Sequence, residues 1–209
     1  MANILLIIFI MTLLYVSIAN RMDTYIWALM LQGLLLFGIT YYSLDQVNAY
    51  NVALIMLETI IFKAIAVPLF LKAIIKRNKI SRESEPFVPN FLSLLIVISI
   101  IIGSFFLSVY IKDNYVDKTF FNVALSTLFS GLYLIMTRRK IITHVIGYII
   151  VENGVFILSL AVGNEMPMLV NLGIMLDIFA SVFILGIFFN KIGDILKDPD
   201  VDLLRNLKD

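Results

Sequence analysis

The sequence predicts an all-α protein, a polytopic membrane helix bundle of seven transmembrane helices. Three observations carry that expectation. Mean hydropathy is +0.98. Charged residues make up 15% of the 209 positions, against about 25% in an average soluble domain. The apolar residues also gather into unbroken Leu- and Ile-rich runs of about 20, the length a helix needs to cross a hydrocarbon layer of about 30 Å. A bilayer β-barrel would instead show alternating segments of about ten residues.

The first span covers residues 3–20. No Lys or Arg precedes Arg21, whereas a secretory signal peptide carries a basic leader, so this span is expected to be retained. Arg21 and Asp23 separate it from the second span, 24–43. The polar turn from Asp45 to Asn48 leads to the third, 51–75. The loop from Lys76 to Asn90, with Pro86 and Pro89 near its end, leads to the fourth, 91–111. The charged turn from Lys112 to Lys118 precedes the fifth, 119–137. The basic turn Arg138-Arg139-Lys140 precedes the sixth, 141–162. Gly163 to Pro167, with Glu165, precedes the seventh, 168–190. The remaining tail, 194–209, is polar but carries Ile195, Leu203, Leu204 and Leu207. It suits a short surface helix or docking peptide as well as a solvated tail.

Charge fixes an expected orientation. One alternate set of loops holds Arg21, then Lys76, Arg77, Lys79 and Arg82, then Arg138, Arg139 and Lys140, and finally the tail. The other set holds only Lys112 and Lys118. Basic residues favour the cytoplasmic side, so the N-terminus is expected outside and the C-terminus in the cytoplasm.

The third and seventh spans share a phrase: Ile55-Met56-Leu57-Glu58 matches Ile174-Met175-Leu176-Asp177, an offset of 177 − 58 = 119. Nearly the same offset sets Gln32 against Glu152 (152 − 32 = 120) and Asn20-Arg21 near Arg138-Arg139. The first three spans would then repeat as the last three in parallel orientation, one of the symmetries seen in transporters. The expected organisation is an N-terminal three-helix unit (1–75), a loop with a linking fourth helix (76–118), a second three-helix unit (119–193) and the tail (194–209).

Composition removes several chemistries. Without cysteine, and with His144 as the single histidine, no disulfide, thiolate metal site, iron–sulfur cluster or bis-histidine haem can form. No cofactor or metal is expected. A net charge of +1 gives no basic field for nucleic acid.

Four ionisable residues fall deep within predicted spans: Glu58, Lys63, Glu152 and Asp177. Each central charge costs about 2.5–3.5 kcal/mol on insertion scales, so such groups are paired, hydrated or functional. On an α-helix, Glu58 and Lys63 stand about 140° apart, and each is expected to find its partner on another helix. Asp177 is a natural partner for Lys63. Glu58 and Asp177 fit a proton-carrying role and a structural ion pair alike. His144, Tyr148 and Glu152 step around the sixth helix by about 40° per four residues and form one leaning row about 12 Å long. The row suits proton transfer from His144 through Tyr148 to Glu152. An interfacial His144 and a packing Tyr148 suit it too. Pro68, inside the third span, is expected to kink it, either as a hinge or for shape alone.

The stretch from Gly131 to Lys140, followed by Gly147 to Glu152 and Asn153-Gly154, resembles the NuoK-type subunit of respiratory complex I. That subunit has three helices, a basic cytoplasmic turn after the first and a buried Glu in the second. Its third helix carries another buried acid, and Asp177 stands there as Asp where the family has Glu. The seven-span length, with Val151-Glu152-Asn153-Gly154-Val155-Phe156 and Leu172-Gly173-Ile174-Met175-Leu176-Asp177-Ile178-Phe179, is more similar to hydrogenase-4 component E, the HyfE-type membrane subunit. The small NuoK-like component of Mrp-type cation/proton antiporters shares the three-helix plan.

The resemblance implies a non-catalytic membrane-arm subunit of a complex I-like group 4 hydrogenase or oxidoreductase in the inner (cytoplasmic) membrane of a prokaryote. Its partners would be antiporter-like membrane subunits, a complex I-like redox-linked membrane subunit and a nickel–iron hydrogenase peripheral arm. Glu152, Asp177 and Glu58 would relay protons, with Lys63, His144 and Tyr148 assisting. The competing readings are an Mrp-type antiporter subunit, a free-standing secondary transporter, and an assembly subunit whose charges only lock neighbours together.

Overall fold

The computed structural model describes residues 1–43, 53, 56–77, 87–110, 116–161 and 186. Its helices, in order, are α1 (Ala2–Ser17), α2 (Met22–Ser43), the π-helix π1 (Met56–Ala66) running directly into α3 (Val67–Arg77), α4 (Asn90–Tyr110), α5 (Lys118–Thr137) and α6 (Ile141–Ala161). Helices α2, α4, α5 and α6 are each long and apolar enough to cross a membrane, while α1 is shorter. Of the predicted seventh span, the structure describes Gly186. It is helical and buried, and a Cβ there would lie 3.0 Å from the Phe70 ring and 3.1 Å from Ile74. Asp177 and the tail 194–209 lie outside the described residues.

The helix surfaces follow the logic of an apolar solvent. Helix α4 buries Ser93, Val97, Ser104 and Ser108 while Phe91, Phe105, Phe106 and Tyr110 face outward. The buried positions recur at four- and seven-residue steps, one narrow seam along a helix. Small polar residues face inward and aromatics face outward, the reverse of a soluble amphipathic helix. Helix α1 likewise turns Ile4, Ile7, Met11 and Tyr15 outward over a core of Leu6, Phe9, Leu13 and Val16.

Two devices hold the hairpin of α5 and α6. Asp117 caps α5, its carboxylate accepting from the amides of Thr119 at 2.8 Å and Phe120 at 3.2 Å, which satisfies donors that a helix start leaves free. The two helices then cross through glycines. A Cβ at Gly131 would sit 2.8 Å from the Val151 nitrogen, and one at Gly154 would sit 2.9 Å from the Leu128 nitrogen. Small residues let helix backbones touch where no water drives association.

Backbone and side-chain bonds gather the turns into two ends. Arg138 Nη2 donates to the Ser17 carbonyl at 2.7 Å, and the Phe87 amide donates to the Thr137 carbonyl at 3.1 Å. The α1–α2 turn, the segment before α4 and the α5–α6 turn therefore share one end. At the other end the Asp117 amide donates to the Ala161 carbonyl at 2.9 Å. This is the up-and-down alternation that the loop charges require.

The basic turn is drawn into the protein. Arg138 is 1% exposed and Lys140 is buried, while Arg139 stacks over the Phe87 ring at 4.5 Å. Two helix ends explain Arg138: α5 stops at Thr137 and α1 stops at Ser17, and the partial negative charge of a helix C-terminus attracts a cation.

Candidate functional site

The site forms where π1, α2 and α6 meet. Gly33 on α2 brings π1 close, since a Cβ there would stand 2.6 Å from the Ala64 nitrogen and 2.7 Å from its Cα. That approach carries the neighbouring residue, Lys63, into the bundle. Its Nζ lies 2.6 Å from Oε1 of Glu152, with the two side chains 5% and 10% exposed. The approach is off-axis for a hydrogen bond, so the contact is an ion pair first. The same ammonium sits 4.4 Å from the centre of the Phe156 ring, one turn beyond Glu152. Carboxylate and aromatic face together replace much of the hydration that an ammonium loses at this depth.

The sequence offers Asp177 as the natural partner of Lys63, and Asp177 lies outside the described residues; among those described, Lys63 makes its ion pair with Glu152. Glu58 is half-buried and within electrostatic reach of both Lys63 and Glu152. The expected 140° separation of Glu58 and Lys63 rests on α-helical winding. They lie instead on a π-helix, whose i→i+5 hydrogen bonding joins residues five apart and so sets the two on successive turns of one side.

Beside the ion pair runs a neutral polar chain. Asn153 Nδ2 donates to Gln32 Oε1 at 3.1 Å. Gln32 Nε2 donates to Thr12 Oγ1 at 2.9 Å, and Thr12 donates on to the Phe9 carbonyl at 2.6 Å. Gln32, Asn153 and Thr12 are all buried. Lys63, Glu152, Asn153, Gln32 and Thr12 thus make one polar layer across π1, α6, α2 and α1, near the middle of each helix. Thr12 and Phe156 escape the sequence reading, and Gln32 enters it only as a repeat match. A lone amide in the middle of an apolar run was the available signal for Gln32.

The three members of the row His144–Tyr148–Glu152 on α6 have different surroundings. His144 Nε2 lies 2.7 Å from the Arg138 carbonyl, so the histidine fastens the basic turn. Tyr148 is 43% exposed on the outer surface of α6. Glu152 alone of the three faces the ion pair. Pro68 is buried in the first turn of α3, where π winding gives way to α. Among the described residues no cluster of three or more His, Asp or Glu is placed to hold a metal.

Chemically, the layer holds one cation within electrostatic reach of two carboxylates, flanked by amides and a hydroxyl that both donate and accept. Such an arrangement can move a proton or shift a counter-charge without a cofactor.

No family model matches the chain, and no solved structure matches it. The chain is similar to the uncharacterized protein Rv0085 of Mycobacterium tuberculosis, 25% identical over 150 residues that span 70% of this chain and 68% of the relative.

Proposed function

We propose that the chain is a non-catalytic membrane-arm subunit of a complex I-like group 4 hydrogenase or oxidoreductase, relaying protons through buried carboxylates. The observation that carries the reading is the Lys63–Glu152 ion pair with Glu58 in electrostatic reach. Intramembrane charges of this kind mark ion pathways. A lysine shared between two carboxylates lets one acid take up a proton as the cation moves to the other. The motifs around Glu152 that resemble NuoK-type and HyfE-type subunits supply the complex. Antiporter-like subunits, a redox-linked membrane subunit and a nickel–iron peripheral arm are the proposed neighbours. The membrane is the prokaryotic inner membrane, with the end bearing Arg138 and Ser17 in the cytoplasm.

The same proposal includes seven spans and a parallel repeat. In a parallel repeat, equivalent helices meet across the pseudo-axis. The packing of α1 on α5 and of α2 on α6 supports that arrangement. So does the Gln32–Asn153 bond, whose separation of 121 is close to the sequence offset. Arg21 and Lys140, the residues immediately before α2 and α6, occupy matching places. A repeat also suits an Mrp-type antiporter subunit or a free-standing secondary transporter, the second reading.

The test is purification from native membranes in gentle detergent, with mass spectrometry of co-migrating chains. Redox and antiporter-like subunits are expected. Antiporter-like chains alone would shift the reading to the Mrp type, and a stable solitary protein would overturn the subunit reading.

A further inference from the structure

A second polar region lies between the ion-pair layer and the basic turn, where α1, α4, α5 and α6 meet. Its centre is a cavity of about 10 Å³ lined by Ser17, Ser130 and Tyr133 among Leu13, Val97 and Ile150. A cavity must hold roughly 10–15 Å³ of this kind to accept one water, and the water needs two to four polar partners. The polar groups here meet that need. Ser130 is 7% exposed, and its Oγ has no hydrogen-bond partner in the protein. Tyr133 donates to Ser93 Oγ at 3.0 Å, leaving its phenolic oxygen free to accept. Ser17 Oγ donates to the Leu14 carbonyl at 2.7 Å and can likewise accept.

We propose that this cavity is a binding site for a single buried water, which accepts from or donates to Ser130 Oγ and donates to Tyr133 or Ser17. A dry cavity would leave the Ser130 hydroxyl buried and unsatisfied, whereas genuinely empty cavities are apolar. The site extends the Ser93–Tyr133 bond inward from the end where Arg138 binds Ser17. It is distinct from the Lys63–Glu152 layer, and it stands whether or not that layer relays protons.

The test uses the purified full chain. Radiolytic hydroxyl labelling in heavy-oxygen water should place label on Tyr133, whose half-buried ring lines the cavity. Ser130→Val, which fills the cavity, should remove most of that label while leaving labelling of exposed Tyr110 unchanged. Thermal unfolding gives a sign. With a bound water, Ser130→Ala and Ser130→Val both lower the Tm. An unlabelled Tyr133, or a Tm raised by both substitutions, would mean a dry cavity and overturn the proposal.

Discussion

Removing one member of the Lys63–Glu152 pair should be far more harmful than removing both. At 2.6 Å two unit charges attract by about 6 kcal/mol at an effective dielectric constant of about 20. Desolvation opposes this by several kcal/mol for each ion, so the intact pair contributes little net stability. Half a pair keeps the desolvation and loses the attraction. Lys63→Met is therefore expected to destabilise the protein by about 3–5 kcal/mol. Met is the suitable replacement because its thioether packs against an aromatic ring and keeps a contact with Phe156. Glu152→Met should cost less, because Glu58 stays within electrostatic reach of the ammonium. The double variant should fall within about 1 kcal/mol of the parent, since apolar groups of similar volume commonly replace a buried pair without loss. The assay is a double-mutant cycle on unfolding of the purified chain in one detergent. Additive effects, with the double variant as damaged as the two singles summed, would refute the coupling.

Other substitutions probe the rest of the site. Glu152→Gln should leave assembly intact and weaken ion pumping in the native complex, read as proton or sodium uptake by membrane vesicles; normal pumping would remove Glu152 from the relay. Gly33→Val should force π1 off α2, because the atoms in its way are the backbone of Ala64, at about 1–3 kcal/mol, measured as a drop in unfolding midpoint. Gln32→Leu breaks two buried bonds of about 0.6 kcal/mol each on average in membranes, so a loss of roughly 1–2 kcal/mol is expected, and a larger unfolding shift would mean that the layer is cooperative. Arg138→Ala should lower the yield of folded protein by removing a charged bond of about 1.5–3 kcal/mol to Ser17, with Arg138→Lys recovering part of it in the same fluorescence-detected size-exclusion assay.

Much of the helix plan is legible because a membrane span is a length and a hydropathy, and both are local. The expected spans 24–43, 91–111, 119–137 and 141–162 lie within two residues of α2, α4, α5 and α6. What local reading cannot supply is who meets whom. The charges at Lys63 and Glu152 stand out in sequence because apolar surroundings make them expensive. Their pairing depends on Gly33, a residue with no charge at all, which decides how near π1 comes to α2. The basic turn carries the opposite lesson. The loop pattern reads Arg138 only as one basic charge among others, but two helix C-termini converge on it and draw it inside.

The winding of the third span was the least legible feature, and Pro68 accounts for it. In an uninterrupted α-helix the proline ring would strike the carbonyl of Ala64, four residues earlier, and leave it without a donor. The chain meets this constraint by winding wide through Ala66 and opening a fresh α register at Val67, where a proline in the first turn is tolerated. The sequence names a kink at Pro68, as a hinge or for shape alone; the structure shows a change of helical pitch there. Its consequence lies upstream, in the rotation of every side chain before it. Five residues of π winding return Glu58 to the side of Lys63, so the proline that bears no charge sets which charges can interact.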